Sequence, residues 1–432
     1  MAAEPMLPAL IQNRASPEQR RALQACVEVA AGLRTPIYLV GGAVRDLLLT
    51  GKLPKPDLDI VIEGDAIKFA EKLAEKLDRD VRTHPRFLTA EVSLGDSHLD
   101  FVTARSERYA EPASLPNVAA ADLATDLARR DFTVNSIALA LWPDVSGELI
   151  DPFGGQLDLE QQILRVLYET SFFDDPTRIL RGVRVGCRLR LELDPQTAAL
   201  ARSAIAAGAF QPLSAHRLRR ELILVLEDAG VGCSIHELQD LGFLAVLGRQ
   251  TPLRDSEWQW LERVIALRSD GSLGDTTAMS IRWWLIYLMV IFLSEGEEAQ
   301  STLTRVLGLD DDGSSLLASY VASHSRSAMA LEVPALAPSD VYRIVEDLHP
   351  EEWVLLLTCQ RDAVADQTAL WFNELREIRL TISGKDLKDS GFPESPVLGQ
   401  ALEATLVARL DGRIGQADEL EYAKQFLTTK SG

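Results

Sequence analysis

The chain has 432 residues, 47% hydrophobic and 25% charged, a globular composition whose length predicts two or three domains. A net charge of −20 excludes a protein that coats nucleic acid by bulk electrostatics, because phosphate binding relies on Lys and Arg displacing counterions. The longest apolar run, Trp283 to Leu293, is short of the ~20 residues a membrane-spanning helix needs.

The N-terminal MAAEPMLPAL has neither a cationic region nor a long apolar one, so no secretory signal is expected and the protein is read as cytosolic. Cys26, Cys187, Cys233 and Cys359 form no CxxC pair, and the six histidines lack the spacing of a zinc site. Neither structural disulfides nor zinc are expected. Residues 1–35 read as a lead-in helix. Strand candidates Ile37–Val40, Leu58–Glu63, Phe87–Leu94 and His98–Ala104 then alternate with helical stretches to about residue 168, predicting an α+β head with a small mixed sheet. Arg105 to Ala121 is proline-containing and aperiodic, and is expected as a loop.

From Pro176 the periodicity turns helical, as in Ile179–Leu189 and Leu218–Leu226, predicting an all-α second half with Trp283–Leu293 as a buried core helix. The expected domains are a head at 1–168, a helical neck at 169–230, and a helical body and tail at 231–432. Within the neck, Asp175 to Leu222 holds nine arginines against four acids. Any RNA contact of so acidic a chain must use such a local patch, and Arg217, Arg219 and Arg220 are its candidates.

Four constellations carry chemistry. In Tyr38-Leu-Val-Gly41-Gly42-Ala-Val-Arg45-Asp46, a strand runs through two glycines into a helix, so backbone N–H groups could approach a phosphate that Arg45 could clamp. Alone, such a turn is more often simple strand-to-helix packing. In Asp57-Leu58-Asp59 the carboxylates point to one face of a strand and repel unless they share cations, for which hard oxygen ligands suit magnesium. A lone DxD is also a common solvated edge; Asp100, on a later strand, adds a third acid, and three acids on adjacent strands can hold two metals for phosphoryl transfer. Arg129-Arg130-Asp131-Phe-Thr-Val-Asn135 reads as a charged helix start in which Asp131 could simply cap. In Asp174-Asp175-Pro-Thr-Arg178-Ile-Leu-Arg181-Gly-Val-Arg184, Pro176 suits a first helical position and the three arginines share roughly one helical face.

These motifs, in chain order LVGGAVRD, DLDIVIEGD, LDFVTARSE, RRDFTVNSIA, DPFGG, DDPTRILRGVR and LSAHRLRREL, resemble the class II tRNA nucleotidyltransferases and bacterial poly(A) polymerases of the polymerase β-like superfamily over roughly 185 residues. The resemblance implies an enzyme that adds C or A to the 3′ end of tRNA without a template, using CTP or ATP and two magnesium ions. It implies that Asp57 and Asp59 bind the metals with Asp100 as third acid, and that Gly41, Gly42 and Arg45 hold the triphosphate. Arg130, Asp131 and Asn135 would belong to the nucleotide pocket, Asp131 at the ribose 2′-hydroxyl. Asp175 and Arg178 would read the base, with Arg181 and Arg184 as further nucleotide contacts. Asp174 stands where the family carries Glu, which puts the fine geometry of the pocket in question. A tail segment, Ile382-Ser-Gly384-Lys385-Asp386-Leu387, also resembles the family. The rival readings are a poly(A) polymerase and a catalytically inactive nucleotide- or RNA-binding module on the same fold.

Overall fold

The computed structural model describes residues 7–54, 57–94, 98–111, 113–114, 116–143, 147–271, 273 and 281–431; the side chain of Asp57 lies outside the described part. The chain divides into two compact units, Met1–Val246 and Leu247–Gly432.

The first unit opens with α1 (Ala9–Gln12) and α2 (Pro17–Leu33), the described part of the expected lead-in. A capping box of Ser16 with Gln19, followed by Pro17 at the first position, starts α2. Then come β1 (Ile37–Val40), α3 (Gly42–Thr50), β2 (Asp57–Ile62), α4 (Ala66–Leu77), β3 (Val81–His84), β4 (Thr89–Ser93) and β5 (His98–Thr103). After β6 (Arg105–Arg108), β7 (Asn117–Ala120) and α5 (Leu123–Ala128), the sheet is completed by β8 (Ala138–Trp142) and β9 (Leu149–Ile150). The seven-stranded sheet runs β3-β4-β5-β2-β1-β8-β9. It is mixed, because β2 and β5 are parallel while the other named pairs are antiparallel.

Alternation along the strands decides what each face does. Leu58, Ile60, Leu99 and Phe101 are buried, as are Phe69 and Leu73 of α4, and the Phe69 and Phe101 rings lie 5.4 Å apart. On the opposite face Tyr38, Val40, Val61, Ala138 and Ala140 form a core with Leu123 and Leu127 of α5. That core protects Val61, whereas Asp59, two residues back along the same face, is exposed. The uncovered end of this face is where the acids stand.

Three local expectations need correction. The Arg105–Ala121 segment is not simply a loop, for β6 and β7 pair as an antiparallel ribbon within it. Arg129 to Asp131 do not begin a helix: α5 ends at Ala128, and only a short 3-10 turn, Thr133–Asn135, follows. Cys187 and Cys233 form a disulfide, contrary to the reading of four unpaired cysteines. They are 46 residues apart in sequence, and it is helix packing that joins them.

Beyond α6 (Gly155–Glu160) the unit is helical apart from a short parallel pairing of Ile163–Leu164 with Glu192–Leu193: α7 (Ser171–Asp174), α8 (Thr177–Leu189), α9 (Pro195–Ala206), α10 (Ala215–Leu226) and α11 (Val231–Asp240). Helix α8 carries Cys187 and packs on α10 and on α11, which carries Cys233. Its Gly182 lies against Phe132, and a Cβ there would come within 2.7 Å of the ring, so any larger residue would push the helix away from the head.

The second unit is helical among its described residues. Trp283–Phe292 is a core helix with every residue except Trp284 buried. No described helix is long and apolar enough to cross a membrane. The buried guanidinium of Arg249 is paired with Glu257 at 2.8 Å, and Leu387, Leu398, Ala401, Ala423 and Leu427 form a separate core near the C-terminal end.

Candidate active site

A cavity of 470 Å³ opens over the uncovered end of the sheet. Strand β1 delivers Val40 and Gly41 to it, β2 delivers Asp59, the segment after α5 delivers Arg129 to Asn135, and α8 delivers Arg178, Arg181, Arg184 and Arg188. Residues expected from four separate motifs thus line one space.

Asp59 and Asp100 are partners in the parallel register of β2 and β5, and Asp100 is in turn opposite Glu91 of β4. Three carboxylates therefore follow one another across adjacent strands on one face, an arrangement that repels itself without a cation. Glu91, His98 and Asp100 each bring a ligand atom within 4.8 Å of the others, and the His98 Nε2 lies 3.5 Å from an Asp100 oxygen. This oxygen-rich donor set fits a divalent metal ion. Asp57 starts β2 opposite His98 in the same register.

Beside this row, Gly41 takes φ +67°, and a Cβ there would lie 3.0 Å from Arg130 Nη1 and 3.7 Å from Asp59 Oδ2. Glycine is required by both the backbone and the space. Gly42 begins α3, from whose first turn the buried Arg45 donates Nη1 to Asn135 Oδ1 at 2.6 Å and pairs with Asp46 at 2.7 Å.

From Asn135 a chain of charged contacts crosses the cavity. Asn135 Nδ2 and Phe132 N–H donate to Asp131 Oδ1 at 3.0 and 2.9 Å, while Arg181 Nε lies 3.7 Å from Asp131 Oδ2. Burial pushes the Asp131 carboxyl up, but Arg181, Asn135, Arg178 and the Phe132 N–H together outweigh it, leaving the group below the usual carboxylate range. Arg181 also reaches Asp175 at 3.4 Å. Asp175 accepts from the Thr177 hydroxyl at 2.6 Å and from Arg217 at 3.2 Å. Arg217 additionally donates to the Ala113 carbonyl at 2.6 Å, so it belongs to this network as well as to the basic neck. Arg219 is half-buried and Arg220 exposed on the same helix, α10.

Arg178 is 3% exposed. Its Nη1 donates to Tyr168 Oη at 2.7 Å and Ser171 Oγ at 2.6 Å, and its Nη2 donates to the Arg129 carbonyl at 2.9 Å. The Nε atoms of Arg105, Arg130, Arg178, Arg181 and Arg184 are all buried with no hydrogen-bond acceptor among the described residues, and all five side chains line the cavity. Buried donors of this kind are costly unless a ligand satisfies them.

Several residues of the site escaped the sequence reading. Asp126 is completely buried and accepts from Arg129 at 2.5 Å, Arg130 at 2.9 Å and the Arg105 N–H at 3.3 Å. Burial pushes its carboxyl up, and Arg130 and Arg129 more than reverse this. The one available signal was its spacing of three and four residues from those arginines. Glu107 pairs with Arg105 at 2.9 Å and Arg129 at 2.7 Å and accepts from Tyr109 Oη at 3.0 Å. Glu107 and Tyr109 lie in the segment read as a loop.

Comparison with known proteins identifies the family. A family model described as the poly A polymerase head domain matches residues 37–165. The chain is 31% identical to an A-adding tRNA nucleotidyltransferase of Halalkalibacterium halodurans, aligned over 98% of this chain and 96% of the relative. It is 32% identical to another A-adding enzyme, from Geobacter sulfurreducens, over 91% of this chain, but it spans only 45% of that relative's length. A CC-adding tRNA nucleotidyltransferase of Deinococcus radiodurans is 39% identical over 49% of this chain and 55% of its own length. Among solved structures, a CCA-adding enzyme in an apo form superposes with a TM-score of 0.82 at 28% identity, covering 97% of this chain and 98% of that one. CCA-adding enzymes of this fold have also been solved with tRNA, with CTP and with ATP, at TM-scores of 0.78, 0.79 and 0.79. The chain thus belongs to the family of class II tRNA nucleotidyltransferases that share the poly(A) polymerase head.

Proposed function

We propose that the chain extends the 3′ end of tRNA, and that its addition is the terminal A. The observation that carries the reaction is the cavity itself, where an acidic row meets five arginines whose buried Nε atoms have no hydrogen-bond acceptor among the described residues. A nucleoside triphosphate supplies acceptors for such donors, and its phosphates supply the anion that a row of carboxylates binds only through cations. The preference for A rests on extent of similarity: the two A-adding relatives align over 91% and 98% of this chain, the CC-adding one over 49%.

In this reading the RNA 3′-hydroxyl oxygen forms a bond to the α-phosphorus of ATP, the bond from that phosphorus to the bridging oxygen breaks, and pyrophosphate leaves with the electron pair. Asp57 and Asp59, with Asp100, would hold two magnesium ions, which supply activation of the hydroxyl and neutralisation of the leaving charge. Gly41 and Gly42 admit the triphosphate close to the backbone. Arg45 fixes Asn135 and thereby Asp131, which accepts from the ribose 2′-hydroxyl, while Arg130 faces the phosphates. Asp175 and Arg178 read the base, since a carboxylate accepts and a guanidinium only donates, matching the amino group and ring nitrogen of adenine. Arg181 holds Asp131 and Asp175 to one geometry, and Arg184 extends the donor row. Arg219 and Arg220 contact tRNA phosphates, with Arg217 divided between RNA and Asp175. The division into a head (1–168), a neck (169–230) and a body with tail (231–432) belongs to the same proposal.

The test is end-labelled tRNA ending in N, NC or NCC, incubated with CTP or ATP separately. One A added to the NCC end, with no C added to any primer, is the expected result. Incorporation of C on the N end would replace the A-adding reading by a CC- or CCA-adding one, and a long homopolymer on an unstructured oligonucleotide would favour a poly(A) polymerase.

A further inference from the structure

Arg178 has five N–H groups, and the structure commits three of them. Tyr168 and Ser171 take both hydrogens of Nη1, and the Arg129 carbonyl takes one of Nη2. Only the Nε–H and the second Nη2–H are left for a ligand, and the buried Nε has no acceptor. How the guanidinium presents this pair is therefore decided by what holds its other end.

Tyr168 holds it in two ways. Its oxygen accepts from Nη1 at 2.7 Å, and the guanidinium carbon lies 5.5 Å from the centre of its ring. A phenolic oxygen that accepts from a cation turns its own proton elsewhere. Arg178 is on α8 and 3% exposed. Tyr168, which precedes α7, thus holds the guanidinium from outside α8. The direct acidic neighbour at position 175 is engaged otherwise, by Thr177, Arg181 and Arg217.

We propose that Tyr168 is a positioning residue for nucleotide selection, fixing which two donors of Arg178 face the incoming base. The inference rests on the reading of Arg178 as a base reader. Without the Tyr168 hydroxyl, one Nη1–H loses its acceptor in a buried site, and the guanidinium can turn to satisfy it, offering a different donor pair to the ligand. Discrimination between bases then falls more than the rate of phosphoryl transfer, because no group near the acidic row is disturbed.

The experiment measures kcat and KM for all four nucleoside triphosphates on tRNA ending in NCC, with Tyr168→Phe, Ser171→Ala and Arg178→Ala, each with a thermal melt. Tyr168→Phe is expected to lower the ratio of kcat/KM for the matched over mismatched nucleotides by about tenfold, the worth of one charged hydrogen bond, mainly through KM and with an unchanged melt. If Arg178→Ala loses selectivity while Tyr168→Phe keeps it, the positioning role is wrong and the base reading stands. If Arg178→Ala keeps the original selectivity, the base reading fails and takes this proposal with it. Should Tyr168→Phe not fold, Ser171→Ala removes the other Nη1 acceptor and carries the same expectation; unchanged selectivity there overturns the proposal.

Discussion

Asp59 and Asp126 are both acids of the head, 67 residues apart in sequence, yet they stand in opposite electrostatic situations. Asp59 is exposed at the edge of the cavity, whereas Asp126 is fully buried and accepts from two arginines. Asp59→Asn is therefore expected to abolish nucleotide incorporation while leaving the melting temperature within a degree or two of the parent or slightly above it, because it relieves repulsion along the row of Asp59, Asp100 and Glu91. Asp126→Asn leaves two guanidinium groups facing a neutral amide and should cost about 3 kcal/mol of stability as well as activity. Paired thermal melts and primer extension check both; a stable, active Asp126→Asn variant would show that Arg129 and Arg130 hold their positions without it. The contrast also marks what was legible. That Asp59 and Asp100 share a face could be read because a period of two on a strand announces which side chains lie together. Asp126, Glu107 and Tyr168 could not, because their importance lies in partners fixed by tertiary packing, and locally each is an ordinary polar residue.

At the level of elements, strands with an apolar period were readable and polar ones were not. Ile37–Val40 and the core of Asp57–Ile62 carry enough buried aliphatic residues to announce themselves. Val81–His84, Arg105–Arg108 and Asn117–Ala120 contain at most a few apolar side chains, are half-buried or exposed, and exist because a neighbouring strand supplies the hydrogen bonds. The disulfide was unreadable for a similar reason, since nothing local relates positions 187 and 233. It has a definite consequence for α8, the helix that bears Arg178, Arg181 and Arg184. In the chain-entropy account a crosslink spanning 46 residues restricts the unfolded chain by about 4 kcal/mol. Reduction, or the double substitution of Cys187 and Cys233 by Ser, is thus expected to lower the melting temperature of the first unit and to weaken ATP binding, since the anchored end of α8 is released. Melts and ATP titrations with and without reductant decide this. Identical curves in both conditions would mean that packing of α8 on α10 and α11 suffices.

On the scale of the molecule, the change from α/β alternation to helical periodicity was plain in the sequence, but the division at Val246 was not, because both sides of that point are helical. The two units can nevertheless be followed separately, since six of the seven tryptophans belong to Leu247–Gly432. Within that unit His324 packs beside Trp260, ring centres 5.4 Å apart. Burial, and secondarily the positive charge of Arg361, lower its pKa from 6.5 to about 4. The folded unit therefore keeps His324 neutral where the unfolded chain would already be protonated. Between pH 6.5 and 4 the unfolded state binds more protons, so this contribution is fully present above pH 6.5 and is lost as the pH falls toward 4. Glu257, Asp411 and Glu419 are shifted below their ordinary values, burial opposing the shift and hydrogen-bonded partners prevailing, so their stabilisation is lost only at lower pH than that of His324. The window from pH 7 to 5 thus isolates the histidine, and over it the second unit should lose about 2 kcal/mol. Urea unfolding followed by tryptophan fluorescence at pH 7, 6 and 5 measures the loss. His324→Gln, which cannot take up a proton, should flatten the dependence across that window, and a parent protein whose midpoint does not move between pH 7 and 5 would contradict the assignment.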